Sequence, residues 1–196
     1  MTTISLSRSQ IIDRILTVFR QHGYEGASLS RLSEATGLGR SSLYHHFPKG
    51  KEDMASAALK GAEQLFIEQI VNVLHTETPP TARIAQFTEN LAQFYQEGYK
   101  TCLIDVLSIG ETAPVFQPFL RQRIEMIQTG LHKVLTELGL SSEEAQRRAE
   151  NTMVGIQGAL VVSRVMGNNG PFMRMIEQLP GTLLQGVENA AAPNLQ

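Results

Sequence analysis

Hydrogen-bonding and cationic side chains crowd into one short stretch, residues 40–51, which reads RSSLYHHFPKGK. Arginine can donate two hydrogen bonds to a guanine or bind a phosphate. Serine and tyrosine hydroxyls can donate to base edges or phosphate oxygens. Lysines beside a helix start add charge to backbone N–H groups that already suit a phosphate. The stretch therefore predicts contact with double-stranded DNA. The candidate DNA-binding residues are Ser28, Arg40, Ser41, Ser42, Tyr44, His45, His46, Lys49 and Lys51.

Two short helices that meet at a glycine corner are predicted to position these side chains. Ser28 is placed to cap the first helix, and Gly37 supplies the positive φ that a tight corner often needs. The second helix is predicted to run from Arg40 to His46 and to stop before a proline. Leu43 and Phe47, four residues apart, are expected to anchor it to the core. This arrangement is typical of a helix-turn-helix that places its second helix in the major groove.

The charge of the chain is divided unevenly. Residues 1–51 contain seven basic and three acidic residues and carry a net charge of +4, whereas residues 52–196 carry −6. A basic N-terminal end on an acidic chain is the charge distribution expected when that end binds phosphates. The alternative is chance variation, since charge runs are usually solvated faces.

Composition excludes several other classes of protein. With 42% hydrophobic and 18% charged residues, the 196-residue chain fits a globular protein rather than a disordered one. Its single cysteine, Cys102, excludes an intramolecular disulfide and suits a reducing cytoplasm. No signal-peptide core and no apolar run of membrane-spanning length are present, so we expect a cytoplasmic protein.

Sequence patterns of catalysis and metal binding are missing. The five histidines are isolated or adjacent, and no HExxH, CxxC, phosphate-binding glycine loop or GxSxG occurs. No pair of titratable residues suggests an active site. We therefore predict that the protein is not an enzyme and needs neither a cofactor nor a metal ion.

Apolar residues recur at helical spacing along the whole chain, and no convincing alternating strand is present. The predicted fold is all-α with about nine helices. Three N-terminal helices form the helix-turn-helix, and a long fourth helix, from about Lys51 to His75, joins them to a helical body.

The stretch 8–54 resembles the N-terminal DNA-binding domain of the TetR family of repressors, and the inserted Gly50 resembles the LmrA/YxaF-type subgroup. Two departures stand out. Gly39 occupies the position where the family usually has Ser or Thr, so the cap is weaker, and Leu32-Ser33 replaces an Ile-Ala pair. The matching residues are Gly23-Tyr24, Ser28, Thr36-Gly37-Leu38, Tyr44, Phe47 and Lys51-Glu52.

This resemblance implies a homodimer that binds DNA and a small-molecule site inside the body. We accordingly divide the chain into a DNA-binding domain, 1–51, and a ligand-binding and dimerisation domain, 52–196. Methionine and aromatic walls suit an apolar ligand, although each such residue is more often plain core. Small residues let the last two long helices approach a second subunit closely, and the alternative is that both helices are ordinary intrachain core. Candidate pocket residues are Tyr95, Tyr99, Cys102, Phe116, Phe119, Met126, Met153 and Gln157. Candidate dimer-interface residues are Gly155, Gly158, Ala159, Val162, Ile176, Leu179 and Leu183.

The leading hypothesis is a ligand-responsive, sequence-specific transcriptional regulator, interpreted as a repressor that a small hydrophobic or aromatic molecule releases from its operator. The alternative is a helical carrier or an enzyme without DNA binding, which would show no salt-sensitive DNA binding. Activation instead of repression also stays open. Cys102 is either a sensing thiol or a small buried hydrophobe.

Overall fold

The computed structural model describes residues 6–187, and that part of the chain contains nine α-helices and no β-strand. The predicted all-α class is confirmed. Contacts group the chain into two units. The N-terminal unit holds the described residues up to Leu65 together with Val106–Phe116, and the C-terminal unit holds Phe66–Asp105 and the residues from Gln117 on.

Serine caps begin the first two helices of the N-terminal unit. Ser7 caps α1 in a capping box with Gln10, and Ser28 caps α2 by accepting a hydrogen bond from a backbone N–H of the first turn. Gly23, with φ of 65°, interrupts α1 before its last turn. The helices are α1 (Arg8–Gly26), α2 (Leu29–Thr36), α3 (Arg40–His46) and α4 (Lys51–Phe66).

These units differ from a division at residue 51. The first turns of α4 belong with the N-terminal unit because Met54 and Ala58 are fully buried there, and Gly61 lies close to Ile12 of α1. The segment Val106–Phe116 joins the same unit although it comes much later in the chain.

The backbone changes its winding after α4. A π-turn spans Ile67–Val71 and a 3-10 turn spans Asn72–His75, where the sequence predicts one continuous helix. The side-chain amide of Asn90 donates to the Gln69 carbonyl at 2.5 Å, which satisfies an acceptor within the π-turn.

The remaining helices are α5 (Pro80–Phe94), α6 (Leu103–Leu107), α7 (Ala113–Glu137), α8 (Ser142–Met166) and α9 (Gly170–Leu184). Helix α8 starts at the Ser141 cap and ends at Gly167, which adopts φ of 66°. It packs along α9 over a core that includes Phe87, Leu91 and Phe172. Within residues 6–187, no helix combines the length and the apolar composition needed to cross a bilayer.

Candidate nucleic-acid interface and small-molecule site

Helix α3 is fixed by two buried side chains on one face. Leu43 is fully buried and Phe47, which ends the helix, is only 1% exposed. The opposite face carries Arg40, Tyr44 and His45, all exposed to solvent, with Ser41 and Ser42 beside them. A short helix with one buried side and one polar side can enter a groove without losing its hold on the domain. The predicted bounds and anchors of this helix are confirmed.

Hydrogen bonds within the α2–α3 corner satisfy its buried polar groups. Gly37 ends α2 with φ of 70°, in the left-handed region that favours glycine. The Ser33 hydroxyl donates to the Leu38 carbonyl at 2.5 Å, and the Thr36 hydroxyl donates to the Leu32 carbonyl at 2.7 Å. Ser33, a departure from the family pattern, thus has a defined role in closing the turn.

The start of α3 lacks a side-chain cap. Gly39 occupies the N-cap with extended φ and ψ of −65° and 159°, and no side chain accepts a hydrogen bond from the first turn there. The predicted loss of this cap is confirmed. The next residue, Arg40, is held across the corner, since its Nη2 donates to the hydroxyl of Ser30 at 3.3 Å.

The ring of Tyr44 lies against the backbone of Gly50. Gly50 adopts φ of 67°, and a Cβ at that position would lie 3.2 Å from Cε1 of Tyr44. Tyr44 nevertheless keeps 45% of its surface exposed. The glycine therefore does two things: it allows the turn before α4, and it leaves room for the tyrosine ring.

Lys51 is engaged inside the unit rather than pointing freely to solvent. Its Nζ lies 4.5 Å from the Tyr24 ring centroid and donates to the Glu25 carbonyl at 3.3 Å. Burial lowers the pKa of Lys51, and the charge of Glu25 opposes that shift. Lys51 is therefore less available to DNA than two other predicted contacts, Ser28 and Lys49, which are exposed to solvent.

The end of α1 also contacts the inserted segment of the same unit. The Glu25 carboxylate accepts hydrogen bonds from the backbone N–H of Thr112, at 3.0 Å, and from its hydroxyl, and these bonds lower the pKa of Glu25. Tyr24 packs edge-on against Phe116, with ring centroids 5.2 Å apart. Phe116, predicted for the ligand pocket, therefore lies in the N-terminal unit. Nothing in the sequence indicates a pairing between residues 87 positions apart.

The C-terminal unit contains a cavity of about 200 Å³ with a largely apolar wall. Two predicted pocket residues, Tyr99 and Cys102, line it, and Tyr95 approaches from behind with its hydroxyl 3.5 Å from the Cys102 sulfur. Cys102 itself is only 6% exposed. The other lining residues are Gly98, Lys100, Thr101, Asp105, Leu160, Ser163, Arg164, Gly167 and Asn168.

A strained turn positions one wall of this cavity. Gln96 and Glu97 both have positive φ, of 50° and 55°, which non-glycine residues rarely adopt. At the third position, Gly98, a Cβ would lie 2.9 Å from Phe172. Sequence reasoning missed this turn, and it also missed the ion pair between Asp105 and Arg164 at the cavity.

The other predicted pocket residues lie elsewhere in the C-terminal unit. Met126 and Met153 pack with the apolar core, and Phe119 lies 4.3 Å from the guanidinium carbon of Arg123. Arg123, which is buried and also lies over the Phe66 ring, was not predicted. Its place on the apolar stripe of α7, four residues before Ile127, was the signal that could have found it. Both polar atoms of the Gln157 amide are buried without a hydrogen-bond partner.

The predicted interface residues differ in burial, and Gly155 and Ala159 are half-buried. Ile176, Leu179 and Leu183 are at most 6% exposed and belong to the core of their own unit, so they have little surface to offer a second chain. Gly158 and Val162, in contrast, are exposed on α8. The other exposed apolar residues of this helix are Val154, Val165 and Met166.

Within the described residues, histidine, cysteine and acidic side chains do not gather in groups of three or more that could hold a metal ion.

Comparison with known proteins matches both parts of the chain. The model for bacterial regulatory proteins of the tetR family matches residues 11–58, and the model for the LmrA/YxaF-like transcriptional regulator C-terminal domain matches residues 80–178. The regulators YxaF and LmrA of Bacillus subtilis (strain 168) are each 25% identical; the alignments cover 92% and 90% of this chain, and 96% of each relative. A TetR transcriptional regulator from Chloroflexus aurantiacus J-10-FL shares the fold, with a TM-score of 0.76, 21% identity, and coverage of 91% of this chain and 94% of the other. The resemblance predicted from the motif, including its subgroup, is confirmed.

Proposed function

This chain belongs to the TetR family of bacterial regulatory proteins, and from that premise we propose how it binds DNA and what controls that binding. It is a DNA-binding transcriptional regulator and not an enzyme. A ligand-responsive repressor role is typical of the family. We assign this chain the same role, with the operator and the effector as its two partners, and place it in the cytoplasm where such operators lie.

The observation that carries the DNA-binding proposal is the two-sided character of α3. Leu43 and Phe47 hold the helix on the core while Arg40 and Tyr44 face solvent. Arg40 donates toward base edges or phosphates, and its bond to Ser30 limits the freedom it loses on binding. The remaining proposed contacts are Ser28, Ser41, Ser42, His45, His46 and Lys49, with Lys51 acting chiefly within the unit.

A gel shift on the promoter beside the protein's own gene tests this assignment. Replacing Arg40 or Tyr44 by alanine should weaken binding by about 5- to 150-fold each, the range for loss of a good base contact. Arg121→Ala, which removes an exposed arginine of α7, is the matched control and should bind normally. Wild-type affinity should fall steeply as salt rises, because bound phosphates release counterions. Unchanged binding by both α3 variants would remove this helix from the interface.

A dimer follows from the DNA geometry, since a pair of half-sites requires two reading helices. We propose that the exposed side of α8 forms the contact between subunits. Val154 and Val165 are 73% and 77% exposed, and at Gly158 a Cβ would meet no atom within 4 Å, which leaves space for close approach of a second helix. Light scattering should give the mass of two chains. A monomer mass at micromolar concentration would contradict this surface.

For the effector we propose a site within the C-terminal unit. The cavity beside Cys102 is small, about 200 Å³, and its apolar wall with a few polar side chains suits a hydrophobic or aromatic molecule. Binding there would release the operator only if the effector favoured the conformation with the lower DNA affinity. A thermal-shift screen of hydrophobic compounds, followed by gel shifts with each hit, tests this part of the proposal.

A further inference from the structure

Two arginines of α1 reach the ends of the other two helices of the helix-turn-helix. Nη1 of Arg8 donates to the carbonyl of His46, the last residue of α3, at 3.4 Å. Nη1 of Arg14 donates to the carbonyl of Ala35, next to the last residue of α2, at 3.2 Å. Neither arginine was among the predicted DNA contacts. Each one links α1 to the C-terminal end of a different helix.

Arg8 also contacts the side chain that anchors α3. Its guanidinium carbon lies 5.2 Å from the ring centroid of Phe47. A guanidinium at this distance from an aromatic ring is attracted by the electrons of the ring face. Phe47 is the buried residue that ends the helix. Arg8 therefore contacts both the last backbone carbonyl of α3 and its anchor.

Helix α3 is a helix for which such contacts matter. The last four carbonyls of a helix have no partner within it and carry partial negative charge, so a cation there is favourable. Helix α3 has only seven residues and no side-chain cap at its start. Helices this short are not stable on their own and depend on contacts with the rest of the domain. Arg8 supplies such a contact at the end opposite the missing cap.

We infer that Arg8 and Arg14 are positioning residues for DNA recognition: Arg8 fixes the end of α3, Arg14 fixes the end of α2, and neither is a phosphate ligand. This inference rests on the proposed function of α3. Both guanidinium groups are directed at helix ends of their own unit, so their loss should act through the helix that each one holds. Two of the seven basic residues in 1–51 are thereby assigned to the structure of the unit.

The first test is the salt dependence of DNA binding. Arg8→Met removes the guanidinium and keeps an unbranched apolar stem. At matched folded fraction, its affinity for the operator should fall about 2- to 10-fold, the equivalent of one net hydrogen bond. The slope of log K against log salt should stay at the wild-type value, because no phosphate contact is lost.

Lys49→Met is the matched comparison for this measurement. It removes the same charge from an exposed lysine that is proposed to contact a phosphate, and it should reduce the slope by about 0.9. A reduction of that size in Arg8→Met would make Arg8 a phosphate ligand and would overturn the inference. Unchanged DNA affinity in Arg8→Met would also overturn it, since a purely structural contact lowers stability without moving the affinity of the folded protein.

The second test is hydrogen exchange of the free protein, followed by mass spectrometry. Arg8→Met should speed exchange about 2- to 10-fold at the end of α3, where the N–H of Phe47 donates to the Leu43 carbonyl at 2.8 Å. Arg14→Met should instead speed exchange at the end of α2, where the N–H of Gly37 donates to the Glu34 carbonyl at 3.3 Å. Wild-type exchange in both variants would overturn the inference. Equal acceleration of both helices by either variant would show a general loss of stability and would overturn the separate assignments.

The two tests separate this inference from the proposed function. If Arg40→Ala and Tyr44→Ala bind DNA normally, the assignment of α3 fails, and hydrogen exchange still reports whether Arg8 holds that helix. If those two variants lose binding while Arg8→Met binds and exchanges as the wild-type protein does, the inference about Arg8 fails and the regulator remains.

Discussion

The two units of this protein differ in where they place the polar side chains discussed above. In the N-terminal unit, the hydroxyls of Thr36 and Ser33 in the α2–α3 corner donate to backbone carbonyls, and the polar side chains of α3 are exposed on the surface. In the C-terminal unit a polar group is buried and left unsatisfied, at Gln157. DNA is large and charged and must be met by an exposed, fixed surface. A small molecule is instead bound in a concave, mostly apolar site, where a few polar groups fix its orientation.

The largest expected effect tests whether the N-terminal unit depends on its anchor. Leu43→Ala removes a fully buried side chain under the reading helix and should lower the free energy of unfolding by about 2–5 kcal/mol. Urea unfolding followed by circular dichroism measures this loss, and DNA binding should fall with it because α3 loses its support. Leu65→Ala, at a leucine of the same unit that is 43% exposed, is the control and should change stability by well under half as much. Equal effects of the two substitutions would contradict the two-sided description of α3.

Two glycines of the N-terminal unit test whether the position of the Tyr44 ring matters for DNA binding. Gly50→Ala and Gly37→Ala both place a Cβ at positive φ, near 70°, and each should cost about 1–2 kcal/mol. Only the first places its Cβ within 3.2 Å of the Tyr44 ring. We therefore expect similar losses in urea unfolding but a larger loss of DNA affinity for Gly50→Ala. If the two variants bind DNA equally well at matched folded fraction, the position of the Tyr44 ring is unimportant for recognition.

The contrast between the units also explains what the sequence could predict. The N-terminal unit is governed by local signals: a capping serine at Ser28, a glycine at Gly37 and two anchors four residues apart define α3 to the residue. The helical class of the C-terminal unit was predicted from apolar residues that recur at helical spacing. The π-turn after Phe66 was not predicted, since one extra residue in a helical turn leaves the apolar pattern nearly unchanged.

Contacts between segments far apart in the chain could not be predicted from the sequence. The bond between Glu25 and Thr112 joins two polar residues that each look like ordinary surface positions. In α9, the predicted interface residues Ile176 and Leu183 are buried in the core of their own unit, and apolar periodicity cannot distinguish an intrachain core from an interface. The sequence pointed to the exposed polar residues of α3. It could not distinguish a buried polar group that has a hydrogen-bond partner from one that has none.

Because α3 lacks a side-chain cap, supplying one should raise the free energy of unfolding slightly. Gly39 has the extended backbone of an N-cap, and a Cβ there would meet no atom within 4 Å, so serine should fit without strain. Gly39→Ser should raise the free energy of unfolding by a few tenths of a kcal/mol, the usual difference between these two residues at an N-cap. Careful comparison of urea midpoints can detect this gain. Gly39→Ala is the control, and a gain of equal size from alanine would show that chain stiffening, and not capping, is responsible.

The smallest effect concerns the surface bond between Glu25 and Thr112, and it should appear only in acid. The folded-state pKa of Glu25 lies below the ordinary value of 4.5, because the carboxylate accepts two hydrogen bonds from Thr112. Its charged form therefore contributes stability above about pH 4.5, and this contribution is lost as pH falls through the folded pKa. Relative to Glu25→Gln, the wild-type protein should have its Tm advantage at pH 7 and lose it below pH 4.5.

The comparison between variants isolates this one carboxyl group. Glu137 and Glu144 also have lowered pKa values, owing to hydrogen bonds from arginines, but they are present in both proteins and cancel in the difference. Thr112→Val removes the hydroxyl donor and keeps the backbone one, so it should show part of the same pH dependence. A Tm difference that stays constant from pH 7 to pH 4 would show that Glu25 keeps its ordinary pKa. In that case the bond joining the inserted segment to α1 would not persist in solution, and the packing of Tyr24 against Phe116 would be the contact described here that still joins them.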